Sequence, residues 1–215
     1  MNAILFDLDG TLWDACEVLT RCWNRTLTEK FPDLGRTLTL AEVEGAMGKT
    51  LDQIARMYFP EAAFERAREA VATASQDELP ELSACGGRLY DGLRDTLAAL
   101  SGRYFLGIVS NCQCGYIEAF LQAHGLAEYF SDFLCEGMTG HTKGENIREL
   151  VTRHGFDRAI YVGDTRGDEE AARVAGVPFV HAAYGFGDAE SPDATIHSPR
   201  ELPGVAENFL CGSPR

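Results

Sequence analysis

Four aspartates follow directly on two short apolar runs and supply the carboxylates of a metal or acid–base site: Asp7, Asp9, Asp164 and Asp168. Four carboxylates gathered at one place repel one another unless a cation neutralises them. A set of oxygen ligands suits a hard ion, and Mg²⁺ is the ion that fits it best. We therefore predict a magnesium site with Asp7, Asp9 and Asp164 as its ligands.

A hydroxyl, an amide and a lysine stand at comparable positions in the sequence. Ser110 and Asn111 follow a third apolar run, and Lys143 lies at a helix start just after a weaker one. Only three of the 19 basic residues are lysines, so a lysine at this place stands out as a compact positive charge. These three residues add hydrogen-bond donors and one cation to the predicted acidic site.

The elements that position these residues alternate along the chain. Short apolar runs predict buried strands, and segments with helical spacing of leucine or alanine lie between them. The predicted strands span residues 3–6, 105–109, 132–135, 159–162, 179–181 and 194–196. This alternation predicts an α/β fold with a Rossmann-like parallel sheet flanked by helices, in which ligands bind at the carboxyl ends of the strands.

One stretch interrupts the alternation after the first strand. From about residue 14 to residue 85 the pattern is helical only, with predicted helices over residues 16–31, 39–47, 51–58 and 61–79. Two glycines, Gly86 and Gly87, then predict a hinge. We expect a core of residues 1–14 and 86–215, with an all-helical cap, residues 15–85, inserted after the first strand.

The composition excludes several classes of protein. With 215 residues, 45% of them hydrophobic, the chain can bury a full core, and we expect neither a signal peptide nor a membrane span. A net charge of −14 argues against nucleic acid or an anionic membrane as the main partner. Seven cysteines without zinc-ligand spacing indicate free thiols in a reducing cytoplasm. The oligomeric state stays open.

Four motifs, taken in order, resemble those of the haloacid dehalogenase superfamily. Asp7-Leu8-Asp9-Gly10-Thr11 matches its first motif, D-x-D-G-T, and Ser110-Asn111 and Lys143 are similar to its second and third. The run from Gly163 to Asp168 resembles its fourth, G-D-x-x-x-D, and the helical insertion resembles the cap of the phosphoglycolate phosphatase-like branch. Lys143-Gly144 departs from the pattern, because many relatives follow the lysine with proline.

The resemblance implies a Mg²⁺-dependent phosphatase that works on a small phosphorylated metabolite through an aspartyl-phosphate. Asp7 would be the nucleophile. Asp9 would protonate the leaving oxygen and then remove a proton from the attacking water. A phosphomonoester is a dianion, so Lys143 and the cation would offset its repulsion by the carboxylates.

The remaining motif residues would bind phosphate and metal. The phosphate-binding groups would come from Gly10, Thr11, Ser110, Asn111 and Lys143. Asp164 would bind the metal, and Asp168 would orient Lys143 or a metal-bound water from outside the ligand set.

The segment Gly48-Lys49-Thr50 resembles a nucleotide-binding P-loop only superficially. The glycine that the motif requires is replaced by Val43, and no strand precedes the segment. By the resemblance, this break between two cap helices faces the active site and contacts the leaving group. An exposed lysine at a helix start is an equally good interpretation of Lys49.

Other functions stay open from the sequence. A sugar phosphomutase of the same superfamily uses the same four motifs, so the motifs do not separate it from a phosphatase. A non-catalytic phosphoacceptor or binding module is the remote alternative, because receiver-like domains carry no cap of this size. The substrate stays open among phosphoglycolate, other phosphorylated acids, sugar phosphates and nucleotides. Cys112 and Cys114 are either ordinary thiols near a helix start or an oxidation-sensitive pair.

Overall fold

A parallel six-stranded sheet is the centre of the computed structural model, which describes residues 1–211. The strands of this part of the chain are β1 (Asn2–Phe6), β2 (Trp13–Asp14), β3 (Arg88–Leu89), β4 (Phe105–Ser110), β5 (Asp132–Cys135), β6 (Arg158–Gly163), β7 (Phe179–Ala182) and β8 (Ala194–Ile196). The sheet has the order β5-β4-β1-β6-β7-β8, and each pair within it is parallel. The order reverses beside β1, where open α/β sheets bind their ligands.

Strand β1 is buried on both faces because it lies between two neighbours. Ile4 pairs with Leu106 of β4 on one side and with Ile160 of β6 on the other. Successive side chains point to opposite faces, so Ile4 joins one hydrophobic cluster and Leu5 joins the second. This double burial explains why the strand has an unbroken apolar sequence.

Helices cover both faces of the sheet and form the insertion after β1. The helices of the insertion are α1 (Cys16–Lys30), α2 (Leu40–Glu44), α3 (Leu51–Tyr58), α4 (Phe64–Asp77) and α5 (Leu79–Cys85). Those around the sheet are α6 (Leu93–Ser101), α7 (Tyr116–His124), α8 (Glu136–Thr139), α9 (Lys143–His154), α10 (Arg166–Ala175) and α11 (Leu202–Leu210). No helix in residues 1–211 is both long enough and apolar enough to cross a membrane.

The helical insertion packs against α7 and shares one hydrophobic cluster with the sheet. Its buried residues Leu19, Trp23 and Tyr58 belong to the same hydrophobic cluster as Leu106 and Phe120, and α5 lies against α7. Burial of apolar surface therefore holds the insertion against the sheet, at about 25 cal/mol for each Å² removed from water.

A short two-stranded ladder joins the two ends of the insertion. Strand β2 pairs antiparallel with β3, with Trp13 opposite Leu89. A Cβ atom added at Gly87 would lie 2.5 Å from the carbonyl oxygen of Asp14, so the two chain segments approach too closely for a side chain. Two-residue strands have no measurable periodicity, which is why sequence patterns did not predict this ladder.

The predicted α/β fold with a parallel sheet is confirmed, and each predicted strand is present within a residue or two. Two helices differ from their predictions. The helix expected over residues 39–47 ends at Glu44, and the one expected over residues 61–79 is broken into α4 and α5 at Glu78. Pro80 lies in the first turn of α5, where its missing N–H costs nothing, so a new helix begins there.

Candidate active site

The carboxyl ends of the central strands bring the motif residues to one edge of the sheet. Asp7 follows β1, Ser110 ends β4 and Asp164 follows β6, and these three strands are neighbours. All three residues are buried, with exposed fractions of 1%, 5% and 0%. Parallel strands thus place side chains together that are far apart in the sequence.

Lys143 lies between two of the carboxylates. Its Nζ atom donates to Asp7 Oδ1 at 2.9 Å and to Asp168 Oδ1 at 2.6 Å. The lysine is the first residue of α9, and a capping box of Thr142 and Glu145 fixes the start of this helix. This capping box therefore fixes the direction from which the Lys143 ammonium reaches the two carboxylates.

Both carboxyl oxygens of Asp168 already accept hydrogen bonds within the fold. Its Oδ1 accepts from Lys143, and its Oδ2 accepts from the backbone N–H of Thr165 at 3.0 Å and from the Thr165 hydroxyl at 2.6 Å. The bonds with Thr165 form the capping box of α10. Asp168 is thus held rigidly, and its position supports the predicted role of orienting Lys143.

Three buried carboxylates lie close enough together to hold a cation. One oxygen from each of Asp7, Asp164 and Asp168 lies within 4.8 Å of the others. Two oxygens of this group, Asp7 Oδ2 and Asp164 Oδ1, are buried and have no hydrogen-bond partner among residues 1–211. Buried oxygens without partners are costly, so this pair fits a cation that would complete their coordination.

The carboxylates of this cluster resist ionisation. Burial, together with the charge of Asp168, raises the pKa of Asp7 to about 6, although Lys143 opposes the shift. Burial and the neighbouring Asp168 and Asp7 raise the pKa of Asp164 to about 8. Burial disfavours the charge of Lys143, but Asp168 and Asp7 outweigh it and raise the pKa of the ammonium. The cluster carries more negative charge than one lysine neutralises, as a cation site requires.

Asp9 points away from this cluster. Its Oδ1 accepts from the indole N–H of Trp13 and from the hydroxyl of Tyr116, both at 2.9 Å. The carboxylates that the structure gathers are thus those of Asp7, Asp164 and Asp168, whereas the sequence placed Asp9 in the ligand set in place of Asp168. The physical reason is that two neutral donors from other elements hold the Asp9 carboxyl on the side of the helical insertion.

The environment of Asp9 suits a group that gives and takes protons. Burial and the nearby charge of Asp7 raise the pKa of Asp9 to about 7, while the bonds from Tyr116 and Trp13 lower it. At neutral pH the carboxyl is therefore present in both protonation states. A general acid and base works best in this range.

Two glycines, Gly10 and Gly185, pack closely against Asp164. Gly10 has φ +80°, and a Cβ atom there would lie 2.1 Å from Asp164 Oδ2. A Cβ atom at Gly185 would lie 2.3 Å from the Gly10 carbonyl oxygen and 2.4 Å from the Asp164 Cβ. Glycine is thus required at both positions, and Gly185 is a residue that the motifs did not indicate.

Gly144 has a packing role that explains the missing proline after Lys143. A Cβ atom at Gly144 would lie 2.8 Å from Cγ1 of Val174 and 3.0 Å from the carbonyl oxygen of Ala171. The glycine thus lets α9 approach α10, which carries Asp168. The close contact of these helices brings Lys143 within reach of Asp168.

The other predicted phosphate ligands lie in the same region with different contacts. The Thr11 hydroxyl is buried and has no hydrogen-bond partner among residues 1–211. The Asn111 side chain donates to the Gly48 carbonyl oxygen at 2.8 Å and so ties this loop to the insertion. Helix α7 begins only at Tyr116, so a loop separates Asn111 from the helix.

A cavity of about 60 Å³ lies between the insertion and the loop after β4. Asp9, Ser110 and Asn111 line it from the side of the sheet, and Gly48 and Lys49 line it from the insertion. Lys49 is exposed, and Thr50 caps α3 in a capping box with Gln53. Of the three predicted cap residues, two therefore border the cavity, and Thr50 shapes the loop that carries them.

Four further residues of this cavity had no signal in the sequence: Trp23, Glu78, Gln113 and Tyr116. They come from α1, the break between α4 and α5, the loop after β4, and α7. Their residue types and spacing match no motif. Glu78 alone has an unusual position, because it lies at the break between α4 and α5, which the sequence did not predict.

The thiols near the second motif are not activated. Burial raises the pKa of Cys112 well above its usual value, and burial also raises the pKa of Cys114. Thiolate is the reactive form of cysteine. Their environment therefore favours the interpretation as ordinary thiols over that of an oxidation-sensitive pair.

Comparison with known proteins identifies the family of this chain. A model of the haloacid dehalogenase-like hydrolase family matches residues 4–182, and the chain belongs to that family. It is 32% identical over 212 residues to a phosphoglycolate phosphatase of Synechococcus elongatus, with 94% of this chain and 95% of the relative covered. It is 27% identical over 225 residues to an N-acetylmuramic acid 6-phosphate phosphatase of Pseudomonas putida, with 99% of each covered.

Solved structures share the fold. A haloacid dehalogenase-like hydrolase of Streptococcus pneumoniae superposes with a TM-score of 0.81 at 23% identity, covering 94% of this chain and 97% of that one. The predicted superfamily, its phosphoglycolate phosphatase-like branch and the enzyme class of a phosphoric monoester hydrolase are thereby confirmed.

Proposed function

We propose that this chain is a Mg²⁺-dependent phosphatase that hydrolyses a small phosphomonoester through an aspartyl-phosphate on Asp7. The observation that carries the proposal is the buried contact of Lys143 with both Asp7 and Asp168, beside two unpartnered carboxylate oxygens. The proposed nucleophile Asp7, its partner Lys143 and the proposed cation ligands thus lie together at the carboxyl-end edge of the sheet, next to a cavity lined by Asp9.

Asp7 attacks the phosphorus atom in the first step. Lys143 holds the carboxylate through Oδ1, and the carboxylate approaches the phosphorus in line with the leaving group. A carboxylate and a phosphate dianion repel each other, and the ammonium of Lys143 offsets part of this repulsion. The bond to Lys143 also keeps Asp7 ionised despite its burial.

Asp9 moves the protons of both steps. Its Oδ1 accepts two hydrogen bonds, so Oδ2 is the atom that carries the proton to the leaving oxygen. Once the leaving group departs, the ionised Asp9 takes a proton from water, and that water attacks the phosphorus of the aspartyl-phosphate. Asp7 is thereby released, and inorganic phosphate is the product.

Asp7 and Asp164 are the residues that would hold Mg²⁺, and Asp168 would support them. The ion would supply positive charge that draws the phosphate to the carboxylates and stabilises the negative charge of the transition state. Ser110 and the backbone around Gly10 and Thr11 border the space in which the phosphate is expected.

The substrate class follows from the relatives and the cavity. Relatives are named for phosphoglycolate and for N-acetylmuramic acid 6-phosphate, both of which are phosphomonoesters. We propose a small phosphorylated metabolite in the cytoplasm, where the seven free cysteines stay reduced. Phosphate release from a panel of about a hundred phosphorylated metabolites would test this function, and no release from any of them would contradict it.

Removal of the cation is expected to abolish activity. Excess EDTA should stop phosphate release and Mg²⁺ should restore it, whereas Ca²⁺ should inhibit because it prefers more ligands at longer distances. Phosphate release is measured after dialysis against EDTA and again after each ion is added. Full activity in excess chelator would exclude the proposed cation role.

Tyr116 is expected to act as a positioning residue for Asp9. In Tyr116→Phe, Asp9 Oδ1 keeps only the Trp13 bond, so the carboxyl is held less firmly and kcat should fall about tenfold. KM should stay near its wild-type value. Tyr104→Phe is the matched control, because within residues 1–211 the Tyr104 hydroxyl forms a hydrogen bond only with Cys211 Sγ. An unchanged kcat, or an equal fall in the control, would remove Tyr116 from the mechanism.

A further inference from the structure

The cavity between the insertion and the loop after β4, called here the cavity above Asp9, has an apolar wall that contains one buried acid. Its apolar lining comes from Leu19, Trp23, Ala46, Met47, Leu51 and Ile54. Glu78 lines the same cavity and is only 2% exposed. The mechanism above uses Asp9 from this cavity but leaves Glu78 without a role.

Glu78 is held by two neutral donors. Its Oε2 accepts from the indole N–H of Trp23, and its Oε1 accepts from Gln113 Nε2 at 2.7 Å. No lysine or arginine pairs with Glu78 within residues 1–211. Burial without a counter-ion raises the pKa of Glu78 to about 8.

The polar groups of this wall can still form hydrogen bonds. Each carboxyl oxygen of Glu78 has two lone pairs and uses one of them, and a protonated Glu78 also has a hydrogen to donate. Both hydrogens of Gln113 Nε2 are engaged, by Glu78 and by the Ser75 carbonyl oxygen, so the amide oxygen is what Gln113 can still offer a ligand, as an acceptor. A ligand group that both donates and accepts hydrogen bonds is therefore complementary to Glu78 and Gln113.

A second anionic group on the substrate, in addition to the phosphate, is not complementary to this wall. A carboxylate brought next to Glu78 would lose its water and could accept only from the protonated form of Glu78. It would also face the acceptor oxygen of Gln113, and the ionised form of Glu78 would repel it. The one cation on the lining, Lys49, is exposed, so solvent screens it. An ammonium group would donate to the acceptors but would leave the hydrogen of protonated Glu78 without an acceptor.

We propose that Glu78 and Gln113 select the leaving group, and that the substrate is a small phosphomonoester whose alcohol part carries a free hydroxyl. This proposal rests on the phosphatase function and narrows its substrate class. Phosphorylated carboxylic acids are then the poorer substrates, although relatives are named for one of them.

Four two-carbon phosphomonoesters that differ only at the end of the chain test this selection. The series is 2-hydroxyethyl phosphate, phosphoglycolate, phosphoethanolamine and ethyl phosphate. Values of kcat/KM at pH 8 should be at least about tenfold higher for the hydroxyl compound than for phosphoglycolate. Preference for phosphoglycolate or for phosphoethanolamine in the wild-type enzyme would overturn the proposal without any variant.

Glu78→Gln then identifies the residue responsible. It removes the charge but keeps the shape, so the ratio of kcat/KM for the hydroxyl compound over phosphoglycolate should fall about tenfold. Glu81→Gln is the matched control on the same side of the insertion, because Glu81 pairs with Arg21 and Arg25 away from the cavity and its ratio should not change. A folded Glu78→Gln with the wild-type ratio would overturn the proposal.

Failure of the phosphatase function gives a different result. If p-nitrophenyl phosphate and all four esters release no phosphate in Mg²⁺, the proposed function itself fails. If p-nitrophenyl phosphate is hydrolysed but the four esters are equally good substrates, only the selection by Glu78 and Gln113 is wrong.

Discussion

The Asp7→Asn variant is expected to fold normally and to lose at least about a thousandfold in kcat. An amide oxygen is a poor nucleophile, and the substitution also removes the negative charge of a cation ligand. The fold should tolerate the change because Asp7 is buried and its raised pKa shows that its charge is unfavourable there. Phosphate release and thermal unfolding of the purified variant are the measurements.

Asp33→Asn serves as the control for this substitution. Asp33 is exposed and pairs with Arg66 on the surface of the insertion, so its loss should leave kcat unchanged. Mass spectrometry must show that the introduced asparagine has not deamidated back to aspartate. Appreciable Mg²⁺-dependent turnover by intact Asp7→Asn would remove Asp7 from the role of nucleophile.

Lys143→Met is expected to lose both activity and stability. Without the ammonium, Asp7 and Asp168 lose their buried partner, and breaking such a buried pair costs about 3 kcal/mol or more of unfolding free energy. The activity should fall at least about a thousandfold, because the repulsion between Asp7 and the phosphate is no longer offset.

The stability loss in Lys143→Met should depend on pH. The ammonium stabilises the ionised form of Asp7, so its removal raises the pKa of Asp7 in the folded state further above that in the unfolded chain. A group with a raised folded pKa stabilises the fold at low pH, and this contribution is lost as the pH rises through the folded pKa. Melting temperatures in EDTA should therefore differ more from wild type at pH 8 than at pH 5.

Lys30→Met provides the comparison, because Lys30 at the end of α1 forms an exposed ion pair with Asp77. Exposed pairs contribute roughly 0–1 kcal/mol, so this variant should keep its activity and nearly all of its stability. Equal stability of Lys143→Met and wild type at pH 8 would show that the buried contacts of Lys143 do not hold the site together.

Much of the candidate site could be predicted because its geometry follows from strand order alone. Asp7, Ser110 and Asp164 each come at the end of an apolar run, and parallel strands share one edge for their carboxyl ends. Alternation of strands and helices is a local pattern that hydrophobic periodicity records. The fold class and the clustering of the motif residues therefore need no knowledge of long-range contacts.

The direction of each side chain within that cluster depends on contacts from distant parts of the chain. The hydroxyl of Tyr116 helps to hold Asp9 apart from the cluster of Asp7, Asp164 and Asp168, and Asp168 is held by Lys143 and Thr165. The fourth motif indicated the role of Asp168 toward Lys143, but no spacing indicated the contact of Tyr116 with Asp9.

The cavity above Asp9 depends even more on tertiary structure. Glu78, Trp23 and Gln113 come from three elements that meet only after the insertion packs on the sheet. Local periodicity specifies which face of a helix is buried, but it does not specify which helix that face meets. The sequence by itself thus determined the sheet, the residues at the strand ends and the family, whereas packing between distant segments decided the contacts of the carboxylates and the shape of the cavity beside them.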